Sequence, residues 1–376
     1  MGKPLQTILL IAGLTCAVGR AEHRQPLVVQ DVNASFVDVA ARRKELATTT
    51  NPRVLATLHT VKSCTGMQAP MPPPDSLHIP GHYLSGSHGP TDPREYEAAQ
   101  PFYRIQEMTA QGADSYVARG DAREAECVLD ALDPWAKARA MTGYSAHEER
   151  QFWYHAEWTV ASVALSVSVI RQEPSLDQAK LKRVINWLNH AARKLKTEED
   201  LLDATPSHHN NHHYWRGLAY TAVGVISKDD FLFRSGLSIY GEAIDALNPE
   251  GAFPAEMARH ELAIHYQAFA LEPLVMIAQL AWRQGYNIYA TPAHGETIAN
   301  GIDFLRRALG DPSIVAKYAA DKQELIDLGK GEQLLAWVEI WNQHAGKDAW
   351  GDALGKPYFI PRLGGNMTLD FAVARQ

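Results

Sequence analysis

From residue 95 onward, apolar positions recur every three or four residues, the spacing of a helix that buries one face. The pattern is clear in "FYRIQEMTAQGADSYVARG" (102–120) and "AECVLDALDPWAKARAM" (125–141). It predicts further helices over 148–172, 175–200, 228–247 and 256–285, and shorter ones over 294–308 and 331–345. Ser175 is placed to cap its helix, and Pro273 should kink or break the one it falls in, having no amide hydrogen to donate. No strand ladder is predicted, and the lack of a fixed period of roughly 30 to 50 residues argues against a regular solenoid. The fold class is therefore all-α. Many antiparallel helix pairs of unequal length suggest an incomplete α/α toroid or barrel with a substrate cleft between its layers.

Two segments depart from this pattern. Residues 65–95, "TGMQAPMPPPDSLHIPGHYLSGSHGPTDPRE", are rich in Pro, Gly, Ser and His. So long an irregular stretch inside a domain is commonly functional, and its glycines suggest a mobile lid loop; a surface linker is the plainer alternative. At the start, "MGKPLQTILLIAGLTCAVGRA" has Lys3, an apolar run from Ile8 to Val18 and the small residues Gly19 and Ala21. It reads as a secretory signal peptide over 1–21, too short in its apolar part to span a bilayer. Residues 22–376 are expected to form one domain.

Export changes the charge and the cysteine count. Losing Lys3 and Arg20 leaves 34 basic and 43 acidic side chains, a net of −9. Bulk charge thus excludes a general polyanion or nucleic-acid binder, and an anionic ligand must meet locally clustered cations. Losing Cys16 leaves Cys64 and Cys127, an even pair in an exported protein. A disulfide is the natural inference; two separate buried thiols are the alternative.

"SHHNNHHYWRG" (207–217) concentrates titratable groups. From His212 the spacing of Trp215, Ala219, Val223 and Ile226 fits one helical face, so Asn210 and Asn211 fall near a helix start that their amides can cap. His208 and His212, and likewise His209 and His213, are four apart, as in some zinc sites. No Glu lies between them in an HExxH arrangement and no third ligand is evident, so no metal is assigned. In "EMARHELAIHYQAF" (256–269), Arg259 and Tyr266 are seven apart, two helical turns and about 10 Å along one face. They can face an anionic sugar together, or be a solvated arginine and a core tyrosine.

"NNHHYW" (210–215), taken with "PAEMARHELAIHYQAFALEPL" (254–274), resembles the periplasmic alginate lyases that cleave poly-β-D-mannuronate, polysaccharide lyase family 5. That family shows NNHxYW, then Pro-x-Glu-x-x-Arg with a Tyr seven after the Arg. "MQAPMPPPDSL", "HYLSGS" and "PRLGG" (361–365) resemble its Pro-rich approach to the lid and its C-terminal stretch, so the likeness runs from about residue 60 to 365. The resemblance implies an α/α toroid with a deep cleft, a Cys64–Cys127 disulfide, and Asn211, His212, Arg259 and Tyr266 as catalytic residues. It implies substrate binding by Tyr83, Arg104, Gln151, Tyr154, Trp158 and Arg362. Gln151, Tyr154 and Trp158, at i, i+3 and i+7, share a helical face that can stack on sugars. There are departures: His213 stands where the family often has Ser, Ala258 where Lys is common, and His82 where some members have Lys. All four catalytic positions are intact, while the exchanged cations bear on which uronate is accepted.

The expected chemistry follows from the substrate. Removing the C5 proton of a uronate adds charge beside an existing carboxylate, so that group must first be neutralised. Asn211 can donate an amide hydrogen and Arg259 a two-pronged positive charge. With charge quenched in this way, no metal or other cofactor is called for. In mannuronate the C5 proton and O4 lie on one side of the ring, so one side chain, by resemblance Tyr266, can serve both. Its phenol must be lowered from about 10 to act as a base, which a nearby Arg259 would favour. His212, titrating near pH 6.5 when unperturbed, can orient the substrate, help neutralise it, or accept a proton from the other face. The partner is an anionic polysaccharide, with no nucleic acid and no membrane after leader removal; a periplasmic monomer is favoured. Two other classes remain: a glycoside hydrolase using carboxylates such as Glu256 and Glu339, and a non-catalytic polysaccharide-binding protein.

Overall fold

Most helices of this chain start at an Asp or Asn whose carboxylate or amide oxygen accepts one of the free amide hydrogens of the first turn. The computed structural model describes residues 26–202, 205–326, 333–346, 350 and 357–372; the leader expected over 1–21 lies outside them. Within these, α1 (Val39–Thr48), α2 (Pro52–Thr60) and α3 (Pro93–Ala98) are capped by Asp38, Asn51 and Asp92. Next come α4 (Gln100–Arg119), α5 (Ala122–Ala138), α6 (Arg150–Ile170), α7 (Gln178–Leu201), α8 (Asn211–Ser227) and α9 (Asp230–Asp245). Asp121, Asp177, Asn210 and Asp229 cap α5, α7, α8 and α9. The short α10 (Pro254–Met257) leads to α11 (Ala263–Arg283), followed by α12 (Ile298–Gly310), α13 (Val338–Ala345) and α14 (Met367–Phe371).

Two expectations need correction. Asp177 rather than Ser175 caps α7, because the Ser175 hydroxyl is turned back onto Glu173 at 2.8 Å. Pro273 does not break its helix: α11 runs through it, buried on all sides, and the lost hydrogen bond is offset by packing. The break falls instead at 258–262, where His260 takes a left-handed φ of 54° and a tight turn over His260–Leu262 re-aims the chain.

Burial sorts the helices into two layers. α4, α6, α8 and α11 pack side by side in that order and are buried over most of their length. Outside them, α5 lies on α4, α7 on α6 and α8, α9 on α8, and α12 on α11. The outer helices are one-sided: α7 buries Leu181, Val184, Leu188, Ala191 and Leu195 and turns its charged positions to solvent. Each of the leucines and Val184 contributes about 1.5–3 kcal/mol. α8 and α9 approach so closely that a Cβ on Gly236 would fall 2.5 Å from the Gly217 carbonyl oxygen. This alternation of inner and outer helices is an incomplete α/α toroid, as the helix pattern suggested.

The C-terminal stretch completes the inner wall. β1 (Phe359–Ile360) and β2 (Gly365–Asn366) pair antiparallel, Phe359 opposite Asn366. The turn Pro361–Leu363 between them touches α4, α6 and α11. On the other side, residues 65–80 are tied down: Asp75 accepts from the Met141 amide at 2.8 Å and the Gly143 amide at 2.5 Å, and the Trp135 indole donates to the Pro70 carbonyl. Cys64 and Cys127 form a disulfide with a Cα–Cα distance of 6.2 Å, fastening this segment to α5.

Candidate active site

Where an inner helix begins, its side chains can face the open middle of the ring. A cleft of about 1020 Å³ opens there, lined from α6, α8, α11, the 81–91 loop and the C-terminal turn. Of the expected residues, Asn211, His212, Arg259, Tyr266, Tyr83, Gln151, Tyr154, Trp158 and Arg362 all line it. Arg104 does not: it is exposed on α4, while its neighbour Tyr103 lines the cleft. Positions 103 and 104 lie about 100° apart around α4, on either side of the solvent-facing surface; Tyr103 is half-buried on the cleft side and Arg104 is exposed on the other. A second hollow of about 480 Å³, on the outer face of α5 and α7, carries none of these residues.

The histidine stretch divides its work. Asn210 is the helix cap, accepting from the His212 amide at 3.1 Å. Asn211 is not a cap: its amide and side-chain Nδ2 donate to the buried Glu256 carboxylate at 2.6 and 3.0 Å. That fixes the amide's orientation, since a carboxylate only accepts, and leaves Oδ1 buried without a protein partner. His212 stacks on Tyr154 at 3.7 Å and near-parallel to Trp158 at 5.7 Å. Its Nδ1 lies 2.6 Å from Glu157 Oε1. Burial, and then the arginines around it, push His212 well below its ordinary range, so the ring stays neutral. His213 faces away, between Glu199 at 2.7 Å and Glu242 at 3.0 Å. Glu199, His208 and His213 bring donor atoms within 4.8 Å of one another, the third ligand that spacing had not revealed. Glu199 and His213 are, however, already bonded to each other and to Arg216, Tyr220 and Glu242.

Arg259 and Tyr266 meet across the 258–262 break. The guanidinium lies over the phenol ring at 4.2 Å and donates to the Ser87 carbonyl at 3.0 Å. The Tyr266 hydroxyl is 2.5 Å from that of Tyr83. Burial raises the Tyr266 pKa above 10 despite Arg259, which pulls the other way. The expected lowering is thus not met. Tyr83 sits on a hairpin closed by bonds from the Leu84 and Asp92 amides to Pro90 and His82, whose tip also pairs His88 with Glu261.

Arg362 stacks on Trp158 at 4.2 Å and on Phe269 at 5.6 Å. With Arg150 and Arg259 it makes three arginines in the cleft, against the carboxylates Glu272 and Glu324. Local cations therefore gather in a chain of negative net charge. The two carboxylates considered for a hydrolase do not form a pair: Glu256 holds Asn211, whereas Glu339 accepts from Thr368 at 2.7 Å and pairs with Arg53. Sequence reading missed Tyr103, His265 and Phe269 as lining residues; Tyr103 and His265 adjoin residues it had named, Arg104 and Tyr266.

A family model described as alginate lyase matches residues 39–315. A polysaccharide lyase of Stenotrophomonas maltophilia K279a is 30% identical over 331 residues, covering 85% of this chain and 93% of that protein. An alginate lyase of Pseudomonas syringae pv. syringae B728a is 26% identical over 264 residues, 67% of each chain. Among solved structures, alginate lyase A1-III from Sphingomonas species A1 matches with a TM-score of 0.85 and 38% identity, covering 92% of this chain and 98% of that one. A variant of alginate lyase A1-III complexed with a tetrasaccharide gives 0.87 at the same identity, covering 93% and 98%.

Proposed function

We propose that this chain, which belongs to the alginate lyase family, cleaves mannuronate-containing alginate by β-elimination, leaving a C4–C5 double bond on the new non-reducing end. Membership makes it a polysaccharide lyase acting on alginate; the mannuronate preference and the residue roles are our proposal. The observation that supports them is the gathering in one cleft of Arg259 over Tyr266, the anchored amide of Asn211, and His212.

The uronate carboxylate sits between Arg259 and Asn211, whose second Nδ2 hydrogen is not taken by Glu256. Their positive ends receive the charge that develops as C5 loses its proton. Tyr266 as phenolate takes that proton; the C5–H electron pair becomes the second bond of the C4–C5 double bond as the C4–O4 bond breaks, and the phenol returns its proton to O4. Tyr154, Trp158 and Arg362 hold neighbouring sugars, with Gln151 and Tyr83 at the cleft's edge. His212, neutral and against the Tyr154 ring, serves as acceptor on the face away from Tyr266. Arg104 is given no substrate contact. We further place the mature chain, residues 22–376 with the lid at about 65–95, in the periplasm as a monomer. A disulfide and a leader over 1–21 fit an oxidising compartment.

Digestion of mannuronate, guluronate and glucuronate polymers, followed by absorbance of the conjugated enoate, tests the reading. Mannuronate polymer should give the fastest rise, and Tyr266→Phe should lose at least about 100-fold in turnover while still binding polymer. New reducing ends without that absorbance would show hydrolysis instead.

A further inference from the structure

A buried network behind the cleft wall has no part in the chemistry above. Glu157 is the one carboxylate between Phe152 and Ile170 on the apolar α6, and it is fully buried. One oxygen meets His212 Nδ1 at 2.6 Å; the other accepts from Arg216 Nη1 at 2.9 Å. Arg216, also fully buried, donates through Nε to Glu199 at 2.7 Å and through Nη2 to the Ser207 carbonyl at 2.7 Å. Glu199 in turn bonds His213, which reaches Glu242 near the surface.

We propose that Glu157 is a positioning residue that fixes His212 as the tautomer with Nδ1 protonated and Nε2 bare toward the cleft. This deepens the function proposed above by assigning what that site's histidine can do. A carboxylate accepts but does not donate, so an ionised Glu157 at 2.6 Å requires the hydrogen to be on Nδ1. The ring is held flat against Tyr154, and among the described residues Nε2 has no protein partner. Charge balance keeps Glu157 ionised. Burial holds its carboxyl above the ordinary carboxylate range, with Arg216 opposing; what argues for the ionised form is the contact itself, since the Arg216 guanidinium at 2.9 Å can only donate to it. Glu199 is held at about 2, burial notwithstanding, by His213 and Arg216. His213 is raised, its two carboxylates outweighing its burial. The Arg216 cation, with His213 shifted toward its charged form, thus faces two buried carboxylates, Glu157 and Glu199, and His212 remains neutral. A bare Nε2 can accept a proton or a hydrogen bond from the sugar; a protonated Nε2 could only donate.

The tautomer is read directly. Long-range ¹H–¹⁵N correlation spectra of the histidine-labelled enzyme, without substrate, should show His212 with a protonated Nδ1 and an unprotonated Nε2, assigned by its loss in His212→Ala. Glu157→Gln turns the neighbour into an amide that can donate to Nδ1. It should move the proton to Nε2 and lower kcat by about 100-fold or more with KM little changed. A wild-type spectrum with Nε2 protonated overturns the proposal, as does a Glu157→Gln enzyme that swaps tautomer yet keeps full kcat. Should that variant not fold, the wild-type spectrum still decides. Because no substrate is present, failure of the lyase reading leaves this result standing on its own.

Discussion

At the scale of single residues, the cleft sets charge against burial. Tyr266 is raised by burial more than Arg259 lowers it. A base with a pKa above 10 is mostly protonated near neutrality, and its phenolate fraction grows about tenfold per pH unit until the pKa is reached. kcat/KM on mannuronate polymer should therefore climb from pH 7 toward pH 9; a flat profile measured by initial enoate absorbance would exclude Tyr266 as the base. Arg259 offers a test of geometry. Its planar fork stacks on Tyr266 and reaches Ser87, and a lysine keeps the charge but not the fork. Arg259→Lys should cost about 2–3 kcal/mol in kcat/KM, or roughly 30- to 160-fold. At this scale the sequence named the right neighbourhood: nine of its ten cleft residues line one cavity. Arg104 failed because adjacent helix positions lie about 100° apart, and only the buried face of α4 shows which side is inward.

At the scale of elements, buried charges decide how helices meet. Glu199 on α7 takes hydrogen bonds from His213, Arg216 and Tyr220 of α8. Its pKa, about 2 against 4.5 when unfolded, is depressed, so its stabilisation is present above pH 4.5 and lost as pH falls toward 2. The shift corresponds to roughly 3 kcal/mol. His213 is raised, so its share is present below about pH 6.5 and is lost as pH rises through its folded value. Unfolding in urea should show wild-type stability dropping steeply between pH 4.5 and 2. Glu199→Gln should lose about 3–5 kcal/mol at neutral pH, leaving Arg216 short of a partner, and should flatten that acid slope. The helix positions were legible from apolar spacing. The function of Glu157, Glu199 and Arg216 was not, although a lone charge inside an apolar helix is a visible signal: its partners sit on other helices, 14 to 59 residues away in sequence.

At the scale of the molecule, distant segments complete the cleft. The loop at 81–91 and the turn at Pro361–Leu363 bring Tyr83 and Arg362, far apart in sequence, into one cleft. The Cys64–Cys127 bond closes a span of 63 residues and ties the loop's root to α5. Loop-closure entropy for that span is worth about 4 kcal/mol. Reduction should lower the urea unfolding free energy by about that amount, while the reduced enzyme, below its unfolding transition, should keep its cleavage of short oligomers because no cleft residue is attached to either cysteine.

What the sequence determined by itself was local and periodic: an all-α chain, its main helices, and a family whose motif residues could be transferred one by one. These are legible because helix formation and motif spacing depend on neighbours a few positions apart. Where the α11 segment breaks, which way Arg104 points, that Asn211 hangs on Glu256 rather than capping its helix, and that burial raises the Tyr266 phenol against Arg259 were decided only by the tertiary structure. Each depends on burial and on partners far along the chain, and the free energy of a buried charge or amide is set by the atoms around it, not by its position in sequence.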